Sequence, residues 1–246
     1  MKKHIILIFV MFSHIYSSSL PAQSYLAIKD GNVWAVLEYG LILGQNDNGM
    51  PQNHICCVNT EQTVIEGDSV INGKGYKKVF SGGQMEKLKF EGLLREENQK
   101  VFFIPKNIFT ESILYDFSVE SGNRVQFTDK GGIAWDWYAQ VDNVEINGAM
   151  KKRIQLSETS ESNFIFDTWI EGVGSLHGLL NVGMPPNGGG RQLLCVSEKE
   201  NIIYQNTNFG KCYYGSEDLK AVGDILGLPV ITGLQSTQDN HISIEI

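Results

Sequence analysis

Residues 167–180 (DTWIEGVGSLHGLL) contain the side chains of this chain that are best suited to chemistry. In an extended strand, Asp167, Trp169 and Glu171 point to the same face. Two carboxylates beside a tryptophan are typical of a glycosidase site, in which one acid donates a proton and the other acts as nucleophile or base. However, strand residues four apart are separated by roughly 13 Å, whereas such acids need about 5–9.5 Å. The spacing favours a sheet edge that leads into a glycine-rich loop.

His177 is the only histidine in this loop, and it follows Ser175 by two residues. This separation is too short for the usual Ser–His–acid triad. The glycines around it also depart from a dinucleotide-binding motif, because His177 occupies the place of the third glycine and no βαβ pattern surrounds it. His177 is therefore a candidate binding residue, with a structural histidine as the alternative.

Three tryptophans are candidates for contact with a sugar. Trp135 and Trp137 share one face of an aromatic strand, and Trp169 lies in the segment above. Exposed rings of this kind can stack on sugars, whereas buried rings contribute to the core. Core packing is the more common role of such residues. The candidate binding residues are Trp135, Trp137, Trp169 and His177.

The four cysteines predict one disulfide. Cys195 and Cys212 lie on two strand-like runs about one hairpin apart, and we expect them to pair. A bridge between the adjacent Cys56 and Cys57 is the least attractive pairing, because a vicinal bridge is strained. A metal site that uses His54 with these two cysteines lacks a second spaced Cys/His pair. We therefore expect no metal and no cofactor.

The N-terminal residues 1–22 have the pattern of a secretory signal peptide. Lys2 and Lys3 precede a mostly apolar run, residues 4–15, and small residues follow before a plausible cleavage after Ala22. The run is too short to span a bilayer, so we expect a secreted or cell-surface protein without a transmembrane segment, with the periplasm possible. Without the two leader lysines the net charge falls from −8 to 18 − 28 = −10, which disfavours nucleic acid as a partner.

The remaining sequence alternates short β-rich runs with turns, and Gly outnumbers Pro by 26 to 6. This pattern predicts an all-β fold, an antiparallel sandwich or barrel-like meander, over residues 23–214. Residues 215–246 are expected to form a tail or linker. Its one short helix would be capped by Ser216, run over residues 217–222 and end at Gly223.

Two similar hairpins suggest a fold of two related halves. Residues 71–73 (ING) and residues 146–148 (ING) are 75 positions apart, and basic residues follow each at equivalent places. Asn-Gly is the strongest short hairpin signal. Chance reuse of a common turn remains the alternative, because two copies fall short of a repeat array.

Several ordered motifs over residues 60–213 resemble an uncharacterised family of secreted β-rich bacterial proteins associated with type IX secretion. The motifs are DSVING at 68–73, LRE at 94–96, KVFF at 100–103, LYDF at 114–117, DTWIEGVGS at 167–175, and LLC at 193–195 with CY at 212–213. The resemblance implies an all-β exported module without an established activity. The resemblance also implies that many relatives end in a sorting domain. Residues 241–246 resemble the strand before such a domain, so we expect this sequence to stop short of one.

Two functions are compatible with these patterns. The first is an exported, non-enzymatic β-rich module for surface or extracellular binding or adhesion, with a glycan or another cell-surface component as partner. The alternative is a secreted, glycan-directed hydrolase that uses acids near Asp167 and Glu171. A cleft where these two acids and His177 converge would favour the hydrolase, and burial of the tryptophans would weaken the case for sugar stacking.

Overall fold

The computed structural model of the chain describes residues 25, 26, 28–83, 86–183 and 188–231. The predicted signal peptide, residues 1–22, and the strand expected at residues 241–246 lie outside the described residues. Within them, no helix has the length and apolar character needed to cross a membrane.

Two antiparallel sheets form the molecule, one of them a curled half-barrel, as expected for an all-β sandwich. The larger sheet has the strand order β13-β12-β1-β2-β3-β4-β5-β6 and the smaller sheet the order β11-β10-β9-β8-β7. The strands are β1 (Asn32–Gln45), β2 (Pro51–Ile71), β3 (Lys74–Gly83), β4 (Lys89–Glu97), β5 (Lys100–Pro105), β6 (Ser112–Asp116), β7 (Arg124–Thr128), β8 (Ala134–Ile146), β9 (Ala149–Ser157), β10 (Asp167–Ile170), β11 (Gly174–Ser175), β12 (Gly189–Glu198) and β13 (Asn201–Gln205).

The core lies between the two sheets and centres on Trp169, which is fully buried. Its ring makes edge-to-face contacts with Tyr115 and Phe127 at centroid distances of 5.0 and 4.9 Å. Trp34 of β1 reaches across the sheets, and its indole nitrogen donates to the Val173 carbonyl at 2.7 Å. The packed aromatic rings therefore hold the loop after β10 against the larger sheet.

Both predicted Asn-Gly hairpins are present. Asn72 and Gly73 have φ of 51° and 75°, and Asn147 and Gly148 have 49° and 79°. Positive φ at both central residues defines the type I′ turn. One hairpin joins β2 to β3 in the larger sheet and the other joins β8 to β9 in the smaller sheet. Each sheet thus contains one of the two Asn-Gly hairpins.

The C-terminal helix is longer than predicted. A 3-10 turn over Ser216–Asp218 leads into α1 (Leu219–Leu226), which ends at Gly227 in the left-handed conformation, φ 67°. Gly223 lies inside the helix, and a Cβ at this position would come within 2.6 Å of Val230. Its role is therefore close packing rather than helix termination. The helix covers a second apolar cluster on the larger sheet, and Val230 bridges to Ile55 of β2.

The predicted disulfide is confirmed. Cys195 of β12 is bonded to Cys212, with the two Cα atoms 5.3 Å apart. Cys212 lies in the loop before the 3-10 turn rather than on a strand. The bond thereby joins the segment that carries α1 to the larger sheet. Cys56 and Cys57 are free thiols.

An ion pair between Arg95 of β4 and Glu111 stabilises the part of the larger sheet that contains β4, β5 and β6. The Arg95 guanidinium, 8% exposed, donates to both oxygens of Glu111 at 2.6 Å. The Tyr76 hydroxyl donates to the same carboxylate at 2.5 Å. These hydrogen bonds, mainly those from Arg95, lower the pKa of Glu111 from 4.5 to about 2. The pair holds the β5–β6 connection against β4.

The depressed pKa of Glu111 predicts acid sensitivity. Its stabilising contribution is complete above its unfolded value of 4.5 and is lost as pH falls towards about 2. We expect the free energy of unfolding to decline over this window, with Glu111→Gln removing about one proton from the uptake on unfolding. Urea unfolding at pH 2 to 6 measures this. The substitution of an exposed acid, Glu66→Gln, is the control. If the free energy of unfolding of Glu111→Gln declines with pH as steeply as that of the wild type, the prediction is wrong.

Candidate functional site

Asp167 is the buried centre of the segment that the sequence singles out. Its side chain is shielded from solvent, and its Oδ1 accepts from Ser175 Oγ at 2.7 Å and from the Thr168 amide at 2.7 Å. Its Oδ2 accepts from Trp169 Nε1 at 2.9 Å and from the Gly183 amide at 3.1 Å. Burial raises the pKa of this carboxyl, against the opposing effects of His177 and the donors. Four donors from four residues thus converge on one carboxyl group.

His177 is the half-buried neighbour of this carboxyl group. Its Nδ1 lies 3.6 Å from Asp167 Oδ1, and its backbone amide donates to Ser175 Oγ at 2.9 Å. Ser175 is fully buried, and its hydroxyl proton is directed to the aspartate. The serine therefore has no access to a substrate, and the three side chains do not form a nucleophilic triad.

Asp167 and Glu171 do not converge. They lie at opposite ends of β10, since Asp167 pairs with Leu156 and Glu171 follows Ile170, the last strand residue. Glu171 accepts weakly from the Lys152 amide at 3.3 Å and lines a different depression. The geometry does not provide the paired acids that a glycosidase mechanism requires.

The candidate tryptophans occupy different environments. Trp169 is fully buried and Trp137 is 5% exposed, so neither ring offers a face to a sugar. Trp135 is half-buried, packs against Trp137 and donates to Asp129 at 3.2 Å. It lines a depression of about 390 Å³ with Asp136. Of the three rings, only Trp135 lines a surface depression, and His177 does not line that depression.

His177 opens onto a different groove, which we call the Tyr39 groove. The depression beside His177 measures about 420 Å³. A second depression of about 350 Å³ adjoins it and shares Tyr39 and the first residues of β12. The lining residues of the first depression are Tyr39, Phe164, Ile165, Phe166, His177, Gly189, Gly190, Arg191 and Gln192.

The Tyr39 groove combines apolar rings with fixed polar groups. The Tyr39 ring lies against Gly190, where a Cβ would be only 2.2 Å from the ring. Burial raises the pKa of Tyr39, opposed by a hydrogen bond with Gln192. Arg191 donates to Glu38 at 2.7 Å, and the Phe164 ring is 65% exposed. Such a surface can bind a ligand that has both apolar faces and hydroxyl groups.

Of the residues that line the groove, only His177 is among the binding residues predicted from the sequence. Tyr39 and Arg191 meet because β1 pairs with β12, with Tyr39 opposite Gly190. These strands are separated by about 150 residues, and no local pattern predicts their pairing. The signal that was present is the glycine run at 188–190, which allows the tyrosine ring to approach the backbone.

Metal binding has no geometric basis in the described part of the chain, where no group of three His, Cys, Asp or Glu side chains is arranged to hold an ion. His54, Cys56 and Cys57, the alternative set from the sequence, are therefore not assembled as ligands. His54 packs over Gly44 in the β1–β2 hairpin, and neither ring nitrogen has a hydrogen-bond partner.

Comparison of the chain with known protein families, with curated proteins and with solved structures finds no match.

The Asp167 network predicts a strongly destabilising substitution. Asp167→Asn keeps the shape but replaces an acceptor oxygen with a donor, so two of the converging groups lose their partner. Each buried group without a partner costs roughly 1–3 kcal/mol, and we expect a loss of about 2 kcal/mol or more in the free energy of unfolding. Chemical denaturation measures this, with the exposed Asp47→Asn as control. A loss no larger than that of the control would show that the network is dispensable.

Proposed function

We propose that this chain is an exported, non-enzymatic β-sandwich module that binds a glycan of the cell surface or its surroundings in the Tyr39 groove. The observation that carries the proposal is the groove itself, where the exposed Phe164 ring lies beside the polar groups of His177, Arg191 and Gln192. Sugars present apolar ring faces and hydroxyl groups, and this combination suits aromatic rings bordered by hydrogen-bonding side chains.

The positions of the two candidate acids, Asp167 and Glu171, favour a binding role over hydrolysis. Asp167 is buried with its oxygens occupied, and Glu171 lies at the far end of the strand. Neither carboxyl group lines the Tyr39 groove. Asp167 is therefore a structural residue, and ligand contact falls to the side chains that line the Tyr39 groove.

Export of the protein, as the resemblance to the family associated with type IX secretion implies, is part of the same proposal. The signal-peptide pattern of residues 1–22 supports it, and the Cys195–Cys212 bond is of the kind that persists in oxidising compartments. The fractionation of a tagged full chain in a Gram-negative host tests export, and retention in the cytoplasm with an uncleaved leader would contradict it.

The binding test begins with a glycan array and continues with calorimetry on a glycan that binds. Phe164→Ala removes an aromatic contact worth on the order of 1 kcal/mol, so we expect about fivefold weaker binding. Phe109→Ala, which removes a ring that is 83% exposed elsewhere, is the matched control and should leave the affinity unchanged.

A second variant distinguishes the two surfaces that could contact a sugar. Trp135→Ala alters the depression beside Asp136 and should leave binding intact if the Tyr39 groove is the site. Loss of affinity in Trp135→Ala but not in Phe164→Ala would place the site at Trp135 and contradict the proposal. Release of reducing sugar that Glu171→Gln abolishes would favour the hydrolase instead.

A further inference from the structure

Cys56 and Cys57 lie in a bulge of β2. Gly40 of β1 pairs with Cys57 and the next residue, Leu41, pairs with Ile55, so Cys56 is the extra residue. Successive side chains of a regular strand point to opposite faces, and a bulge changes the direction of one of them. The two sulfur atoms are consequently 3.1 Å apart.

Gly40 provides the space in which the sulfurs meet. A Cβ at this position would lie 2.6 Å from Cys57 Sγ and 2.8 Å from Cys56 Sγ. Such distances are shorter than real Cβ contacts, so any larger residue would displace the thiols. Gly40 does not have a positive φ, so the backbone conformation does not require glycine at this position. The close approach of the two sulfurs is the reason that a glycine fits here.

Access to the pair is unequal. Cys57 is exposed and borders the depression that adjoins Tyr39, whereas Cys56 is half-buried. A hydrogen bond to Cys57, together with burial, raises the pKa of Cys56. An exposed sulfur beside a partly covered one is the arrangement of an attacking and a resolving cysteine.

We propose that Cys56 and Cys57 are a redox-active dithiol, which closes to a vicinal disulfide by exchange with a low-molecular-weight or protein disulfide. The Cys57 thiolate attacks one sulfur of that disulfide and releases the first thiol. Cys56 then attacks Cys57 Sγ in the mixed disulfide and releases the second. One disulfide bond breaks and one forms, two electrons pass to the partner, and the two cysteine protons end on the two released thiols.

A vicinal disulfide is strained in general, but the bulge already brings the sulfurs of Cys56 and Cys57 close together. A disulfide requires a separation of about 2.05 Å, so the sulfurs need to approach by about 1 Å from their position in the bulge. The separate Cys195–Cys212 bond takes no part in this exchange. The proposal is also independent of glycan binding, because it concerns different side chains.

The test equilibrates the full-length protein with glutathione buffers of graded redox ratio. Free thiols are then labelled with maleimide and mapped by mass spectrometry. We expect residues 56 and 57 to lose both labels together and to yield a peptide lighter by two hydrogen atoms. In Cys56→Ser, the remaining Cys57 should instead carry glutathione, because it has no resolving partner. Wild-type protein that keeps both labels in excess oxidised glutathione, or carries glutathione on each cysteine, would overturn the proposal.

Gly40→Ala tests the part played by the bulge. The added methyl group should separate the sulfurs and disfavour the vicinal disulfide at least tenfold, a shift of the midpoint potential by about 30 mV. Gly75→Ala is the control, because nothing lies within 4 Å of its Cβ position. Circular dichroism verifies folding of both variants. An unchanged midpoint in folded Gly40→Ala would refute the assigned role of Gly40, and the wild-type measurement does not depend on either variant.

Discussion

The rest of the structure depends on a single buried carboxyl group, that of Asp167. Burial of a carboxyl group is unfavourable unless donors surround it, and here they come from β10, from β11 and from Gly183, which follows β11 in the chain. Those donors fix the position of Trp169, the centre of the core between the sheets. They also fix the turn that carries His177 to the Tyr39 groove. One interaction therefore connects the core to the proposed binding surface.

The two sheets bring together groups that are distant in the sequence. Tyr39 belongs to β1, while Arg191 and Gln192 belong to β12, and the pairing of these strands produces one wall of the groove. The opposite wall includes Phe164 and His177, which precede and follow β10. The same β1 strand places Gly40 over the two free thiols. A binding surface and a thiol pair are thus adjacent because they share one strand.

Much of the fold could be predicted from the sequence. Asn72 and Asn147 specify type I′ hairpins through the positive φ that Asn and Gly tolerate, and the cysteine spacing led to the correct disulfide. The helix end was misplaced because Gly223 serves packing against Val230, which only the tertiary structure reveals. Local sequence signals therefore predict the turns and the class of fold. They do not predict the role of a glycine such as Gly223, because that role depends on a close contact with Val230, which lies beyond the end of the helix.

The candidate site was less accessible to sequence reasoning. His177 does line the groove, but periodicity alone could not show that Trp137 and Trp169 are buried. The most direct test of the role of Asp167 is hydrogen exchange at the amides of His177 and Gly183, which donate to Ser175 and Asp167 outside the sheet ladders. If the network is the central constraint, both amides exchange only through global unfolding. Rapid exchange of these amides in a protein whose strands remain protected would contradict the account.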